Sequence, residues 1–250
     1  MNVSAVMIVK NGARTIRRSL ESLREFDDVV VYDNGSTDGT QEIAREFPNV
    51  RLVEGEFDGF GTTKNRAASY AAHDWVLIID SDEVVDAELL DALRTRPLDP
   101  RTIYIVNFHA YYKEIRIRHC GWNNQKIRRL YNKAVTRFND NAVHENIIDE
   151  GMKKEPIEGN MKHYSYMSIS DFIIKVDRYS TLFARDNAGR KFPTPAKAFF
   201  NGLYSFFRTY ILKRGFLDGY AGLIISFSHM ATNFYKYIKL YELNREQRRG

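Results

Sequence analysis

The chain has 250 residues, 44% hydrophobic and 28% charged, with a formal net charge of +5 at pH 7. That length can bury a core as one large domain or as a domain with an appendage, and the single cysteine, Cys120, excludes an internal disulfide and fits a reducing compartment. Residues 196–250 hold nine Lys/Arg against three Asp/Glu, so the rest of the chain is close to neutral; this argues against a nucleic-acid partner and a basic face along the whole fold.

The apolar run Val3–Val9 has no charged segment before it and reads as a strand, not as a signal peptide. Asn11-Gly12-Ala13 turns the chain, and Ile16, Leu20 and Leu23 then recur on one helical face. A second strand at 28–32 runs into Asp33-Asn34-Gly35-Ser36-Thr37-Asp38-Gly39, a stretch dense in turn formers. A short helix at 40–47 stops at Pro48, and 50–53 is a third strand. A loop with three glycines, 54–61, leads into an alanine-rich helix at 62–72. Residues 75–79, Trp-Val-Leu-Ile-Ile, form an unbroken apolar run, the mark of a central strand buried on both faces. Strands and helices alternating in this way predict right-handed βαβ units and a parallel sheet with helices on both faces.

Ligands of such a sheet bind beyond the carboxyl ends of its strands. Asp80-Ser81-Asp82 follows the central strand directly, and Glu83 comes next. Two carboxylates so placed suit a hard divalent ion shared with substrate phosphates; the alternative is an acidic turn capping the next helix. Asp33, closing the second strand, is placed to bond a ribose or base edge or to make an Asx turn. Lys64 and Arg66 stand at the start of the alanine-rich helix, where free N–H groups and the helix dipole favour a diphosphate. Neither a P-loop nor a dinucleotide glycine fingerprint is present.

Four blocks, Val6-Met7-Ile8-Val9-Lys10-Asn11, Val31-Tyr32-Asp33-Asn34-Gly35-Ser36-Thr37-Asp38-Gly39-Thr40, Lys64-Asn65 and Ile79-Asp80-Ser81-Asp82-Glu83, resemble in order those of family 2 glycosyltransferases. The resemblance covers about residues 1–165 and departs at Asn34, where many members carry a second Asp. It implies a GT-A, Rossmann-like mixed α/β sheet with helices on both faces. It also implies transfer of a sugar from a nucleotide-diphosphate donor, with inversion and a divalent metal, Mg²⁺ or Mn²⁺. Val9, Asn11, Asp33, Lys64, Asp80 and Ser81 would then bind the nucleotide sugar, and Asp82 the metal.

After Asp99-Pro100 the texture changes to strands at 103–112, 115–120 and 126–131, the acceptor-side half, 100–165, of a catalytic domain whose nucleotide-sugar half is 1–99. Trp122, between Gly121 and Asn123, is the aromatic best placed to stack on an acceptor sugar. Inverting transfer needs a base for the acceptor hydroxyl, and Val143-His144-Glu145 resembles that element of the family, with Glu145 as base and His144 beside it. His163, after a strand at 157–162, resembles the histidine that returns to the metal.

The remainder, 166–250, is a helical appendage. Ser168-Ile169-Ser170-Asp171 has the form of a capping box before a helix at 172–188. Thr194-Pro195 opens a helix at 196–213 with a wide aromatic stripe, and 216–241 is helical again. The window 216–235 contains Asp218, His229 and Asn233, which argues against a membrane span. Two readings remain: an interfacial element on an anionic cytoplasmic leaflet, or helices packed on the domain or in a homo-oligomer. Arg214-Gly215-Phe216-Leu217-Asp218-Gly219 resembles small lipopolysaccharide-core glucosyltransferases. That implies UDP-glucose as donor, a lipid-linked core oligosaccharide heptose as acceptor, and a cytoplasmic, peripheral location. The alternatives are a nucleotidyltransferase and a non-catalytic membrane-surface or RNA-binding protein.

Overall fold

The computed structural model describes every residue except 124, 142–144 and 249–250. The chain divides into two compact units, Met1–His109 with Asn124–Tyr164, and Ala110–Asn123 with Ser165–Gly250.

In the first unit, β1 (Val3–Val9), β2 (Val29–Asp33), β3 (Val50–Glu54) and β4 (Trp75–Ile78) are joined by α1 (Ile16–Ser22), α2 (Thr40–Arg45) and α3 (Phe60–Ser69). The pairs β1·β2, β1·β4 and β2·β3 are parallel, as the βαβ alternation predicts. Period-two alternation sends neighbouring residues to opposite faces. Met7, Val31 and Leu77 therefore join Leu20 and Ala44 in one core, and Val6, Val30 and Val76 join Ala67 and Ala68 of α3 in another. Burying such side chains stabilises by roughly 1.5–3 kcal/mol each.

Between Glu83 and Asp99 the pattern reading gives no bounded element, only a helix that the acidic turn would cap; the structure places β5 (Glu83–Val85) and α4 (Ala87–Thr95) there. Strands β6 (Thr102–Tyr112), β7 (Ile115–Arg116), β8 (Gln125–Asn132) and β9 (Lys153–Tyr166) complete a mixed sheet ordered β3-β2-β1-β4-β8-β6-β9-β5, with β7 on β6. The β4·β8, β6·β8 and β5·β9 pairs are antiparallel.

The strand expected over 115–120 ends at Arg116. Beyond it Cys120 adopts a positive φ of 60°, and the N–H groups of Arg118 and His119 donate to the Asp218 carboxylate at 3.1 and 2.8 Å. A carboxylate has taken the donors that a strand partner would use.

The helices of the second unit are α5 (Ile169–Asn187), α6 (Pro195–Phe207) and α7 (Gly219–Gln247). The expected Ser168–Asp171 capping box is formed, and Thr194 caps α6 with Pro195 in the first turn. The single helix expected over 196–213 instead passes into a π-helical turn, Arg208–Leu212. Among the described residues no helix is long and apolar enough to cross a membrane.

Candidate active site

Strands β1 and β2 end side by side, Val9 opposite Asp33. The loops that follow are tied together by short polar bonds. Asn11 donates its N–H to Ser36 Oγ at 2.8 Å and accepts from the Thr37 N–H at 2.9 Å. The Gly12 N–H donates to Thr40 Oγ1 at 2.8 Å, the Ala13 N–H to Asp38 at 3.0 Å, and the Asn34 N–H to the Val9 carbonyl at 2.9 Å. A larger residue at Gly12 would force a side chain aside: a Cβ there would fall 2.7 Å from Val9 Cγ2 and 2.9 Å from Ser81 Oγ. Val9, Asn11, Asp33 and Ser81 are thus brought to one sheet edge.

Asp33 is buried. Its Oδ1 accepts from the N–H groups of Gly35 and Ser36, at 3.0 and 2.8 Å, and from the Gln41 amide at 2.9 Å. Oδ2 has no hydrogen-bond partner among the described residues. The Asx turn expected here is formed through Oδ1, while Oδ2 stays buried without a partner. Burial raises the carboxyl pKa, but the bonds from Ser36, Gln41 and Gly35 outweigh it and hold the group below the ordinary Asp value.

The acidic segment after β4 does not cap the next helix. Asp86 does that, accepting the Leu89 N–H. Asp80 Oδ2 instead accepts from Arg129 Nη2 at 2.8 Å, and its N–H donates to Glu83 Oε2 at 2.8 Å. Arg129 also pairs with the buried Glu83. Two carboxylates share one guanidinium, and their pKa values separate. For Asp80, burial is outweighed by the charges of Arg129 and Lys64, which hold it well below the usual carboxylate range. For Glu83, burial, opposed by Arg129 and reinforced by the Asp80 charge, pushes the carboxyl well above its ordinary value.

Asp82 lies on the other side of this turn. Its Oδ2 is 3.2 Å from His163 Nε2, because β5 and β9 pair with Glu83 opposite His163 and the Asp82 carbonyl accepts the Tyr164 N–H at 2.8 Å. Adjacent ligands of an octahedral ion with bonds of about 2.1 Å stand about 3 Å apart, so this pair fits a shared divalent ion, Mn²⁺ better than Mg²⁺ because one ligand is an imidazole. Among the described residues no group of three His, Cys, Asp or Glu converges. The protein would offer two ligands, leaving the others to phosphate oxygens and water, as is usual for Mg²⁺.

Lys64, buried on α3, pairs its Nζ with Glu145 Oε1 at 2.5 Å. The two residues predicted for the diphosphate and for the proton thus hold one another. They line a cleft of about 380 Å³ together with Asp80, Arg129, Lys126 and Arg128. Arg66 is not among its lining residues; it ties the preceding loop through Asp58 and the Glu56 carbonyl. The α3 N-terminus is partly spent as well, since the Gly61 N–H donates to the Asn141 carbonyl at 3.3 Å.

Two other carboxylates near Glu145 in sequence are engaged by cations of their own. Asp140 is held below its ordinary pKa by Arg137, and Asp149 by Lys154. His144 lies outside the described residues. Trp122 belongs to the second unit, where it stacks on Tyr166 with ring centroids 5.3 Å apart.

Arg129 is the site residue that pattern reading misses. Its signal was available: Arg128-Arg129 inside a strand must send one cation to each face. Arg128 meets Asp149 at 2.9 Å, and Arg129 turns to Asp80 and Glu83.

The model of the family described as Glycosyl transferase family 2 matches residues 4–157. An uncharacterized glycosyltransferase of Rickettsia typhi is 29% identical over 98% of this chain and 89% of its own length. The lipopolysaccharide core biosynthesis glycosyltransferase LpsC of Rhizobium meliloti is 26% identical over 96% of this chain and 92% of its own. Among solved structures, S. aureus TarS 1-349 in complex with UDP aligns with a TM-score of 0.47 and 16% identity over 100% of this chain and 92% of that one.

Proposed function

The chain belongs to glycosyl transferase family 2, and on that premise we propose that it transfers glucose from UDP-glucose, with inversion, to a heptose hydroxyl of a lipid-linked lipopolysaccharide core saccharide. The observation that carries this is the Lys64–Glu145 pair in one cleft with Asp80 and Arg129, beside the facing Asp82 and His163. The likeness to LpsC over nearly its whole length supports the choice of acceptor.

In this reading Asp33 Oδ2 accepts a hydrogen bond from the nucleoside, and Val9, Asn11 and Ser81 shape its seat. Lys64 meets the diphosphate. A divalent ion held by Asp82 and His163 would supply further positive charge for the departing diphosphate. As Lys64 turns to the phosphates, it releases the Glu145 carboxylate, which takes the proton of the acceptor hydroxyl. The acceptor oxygen bonds to the anomeric carbon as the bond to the diphosphate breaks, and the configuration inverts. The Lys64–Glu145 pair makes the order donor first: until the diphosphate arrives, the base is neutralised.

We place the protein at the cytoplasmic face of the membrane, docked through α6. That helix exposes Phe199, Phe200, Leu203, Tyr204 and Phe207. Lys197, Arg208 and Arg214 flank them, and no Asp or Glu occurs from 195 to 217. An anionic leaflet complements that combination.

The test is transfer to a purified core acceptor from a panel of UDP-sugars, with the anomeric configuration of the product read by NMR. UDP affinity is measured in parallel in Mn²⁺ and in EDTA. Transfer from UDP-glucose giving the β-linked product is expected, with weaker UDP binding in EDTA. Equal UDP affinity in both media would remove the metal assignment, and no transfer from any UDP-sugar would remove the donor.

A further inference from the structure

The cleft of the first unit carries more positive charge than its acids balance. Its described lining holds four cations, Lys64, Lys126, Arg128 and Arg129, against two carboxylates, Asp80 and Glu145. Both carboxylates are engaged, Asp80 by Arg129 and Glu145 by Lys64. Lys126 and Arg128 stand two residues apart and so share one face of β8. Arg128 Nη1 meets Asp149 Oδ2 at 2.9 Å, but Lys154 Nζ reaches the same oxygen at 2.5 Å. One carboxylate oxygen thus serves two cations. Lys126, exposed, has no hydrogen bond or ion pair among the described residues.

These surplus cations lie on the acceptor's side. Lys126, Arg128 and Lys154 all belong to residues 100–165, the half that the family resemblance gives to the acceptor, whereas Asp33, Lys64 and Asp80 come from the donor half. Lys126 and Arg128 also share the cleft with Glu145, the proposed base, which must meet the acceptor hydroxyl.

A single solvated lysine is ordinary. Two cations crowded onto one oxygen beside a third with no partner are not, because like charges at close range repel. An anion between Lys126 and Arg128 would relieve that imbalance. A neutral sugar would find little to stack on. The only ring among the described lining residues is Phe138, which is buried, with Lys64 Nζ 5.2 Å from its centroid. We propose that the acceptor saccharide bears an anionic substituent, a phosphate ester or a carboxylate, bound by Lys126 and Arg128 while Glu145 meets the hydroxyl. The proposal rests on the glycosyltransferase reading and narrows its acceptor to an anionic one.

The test uses three forms of one de-O-acylated core acceptor: intact, dephosphorylated and carboxyl-reduced. Transfer to each is measured with the UDP-sugar that the donor panel selects, and UDP binding is measured by calorimetry. At least one treatment should raise the acceptor KM about tenfold with little change in kcat, and it identifies the anionic group. Lys126→Met should raise KM for the intact form about tenfold, the loss of a hydrogen bond to a charged group. For the form already stripped of its anion it should change nothing, and UDP affinity should be unaltered. Lys126→Arg should restore most of the loss; thermal melting reports the folding of each variant. Wild-type KM equal for all three forms, or an intact-form KM that ignores Lys126→Met and Arg128→Met together, overturns this proposal and leaves glycosyl transfer standing. UDP binding weakened by Lys126→Met overturns it in favour of the donor diphosphate. No wild-type transfer to any of the three forms sinks the core-saccharide reading, and this proposal with it.

Discussion

The first unit buries charge: Lys64 and Glu83 are buried, and Arg129 is nearly so. The second unit holds most of the exposed large aromatic side chains, with Phe200 65% and Tyr204 58% exposed. Buried charge costs free energy unless paired, and exposed aromatic surface invites association. Under the proposed function each feature marks a contact with something outside the chain: a nucleotide would rearrange the charge pairs of the first unit, and an anionic leaflet would cover the aromatic surface of the second.

The pairs in the first unit can be broken one at a time. Glu145→Gln keeps the size and hydrogen bonding of the side chain but removes the base, and should lower the transfer rate by roughly 10²–10⁴-fold. Because the same change frees Lys64 from its partner, UDP should bind no more weakly than to the wild type. A titration showing UDP affinity lost together with turnover would mean that Glu145 serves the donor and not the acceptor. Steady-state rates and calorimetric UDP binding on one preparation separate the two.

Arg129→Met strips the shared cation from Asp80 and Glu83. Removing one partner of a buried ion network costs about 3–5 kcal/mol, and urea denaturation at neutral pH should show it. A loss under 1 kcal/mol, about the value of an exposed pair, would mean that solvent already serves these carboxylates.

The pH dependence sharpens the point. The Glu83 carboxyl pKa is raised on folding. Its contribution is therefore fully present below the unfolded value of about 4.3 and is lost as pH rises through the folded one. Glu83→Gln cannot ionise and should lose less stability than the wild type between pH 4 and pH 8. Parallel stability curves for the two proteins would show that Glu83 does not titrate. Asp80, whose pKa is depressed, has the opposite sign: its contribution holds above about pH 3.9 and fades only as pH falls through its low folded value.

The smallest expected effect lies in the second unit. Arg208→Ala should weaken binding to anionic vesicles by about 1 kcal/mol, roughly fivefold, and the difference should shrink with salt. Vesicle sedimentation measures it. Salt-independent self-association with no vesicle binding would reassign the α6 face to a second copy of the chain.

What could be read before folding was whatever depends on local pattern. Alternation of apolar runs with helical spacing predicts the first four strands, and the carboxyl ends of those strands identify Asp33, Asp80 and Asp82 without coordinates. Val9, Asn11 and Ser81 were legible only through the resemblance of their blocks to the family. Strand β5 and helix α4 escape it because β5 is only three residues long and takes its place from its pairing with β9.

The sequence by itself determined which residues stand at the sheet edge, since a strand's end is set by its own apolar run and the turn formers after it. Only the tertiary structure decided how their charges pair. Arg129 reaches Asp80 across 49 residues of sequence, and Lys64 meets Glu145 across 81. Side-chain charge carries no period that marks such a partner. The same holds in the second unit, where Trp122 stacks on Tyr166. Stacking depends on distance and ring orientation, and neither exists until the chain has folded.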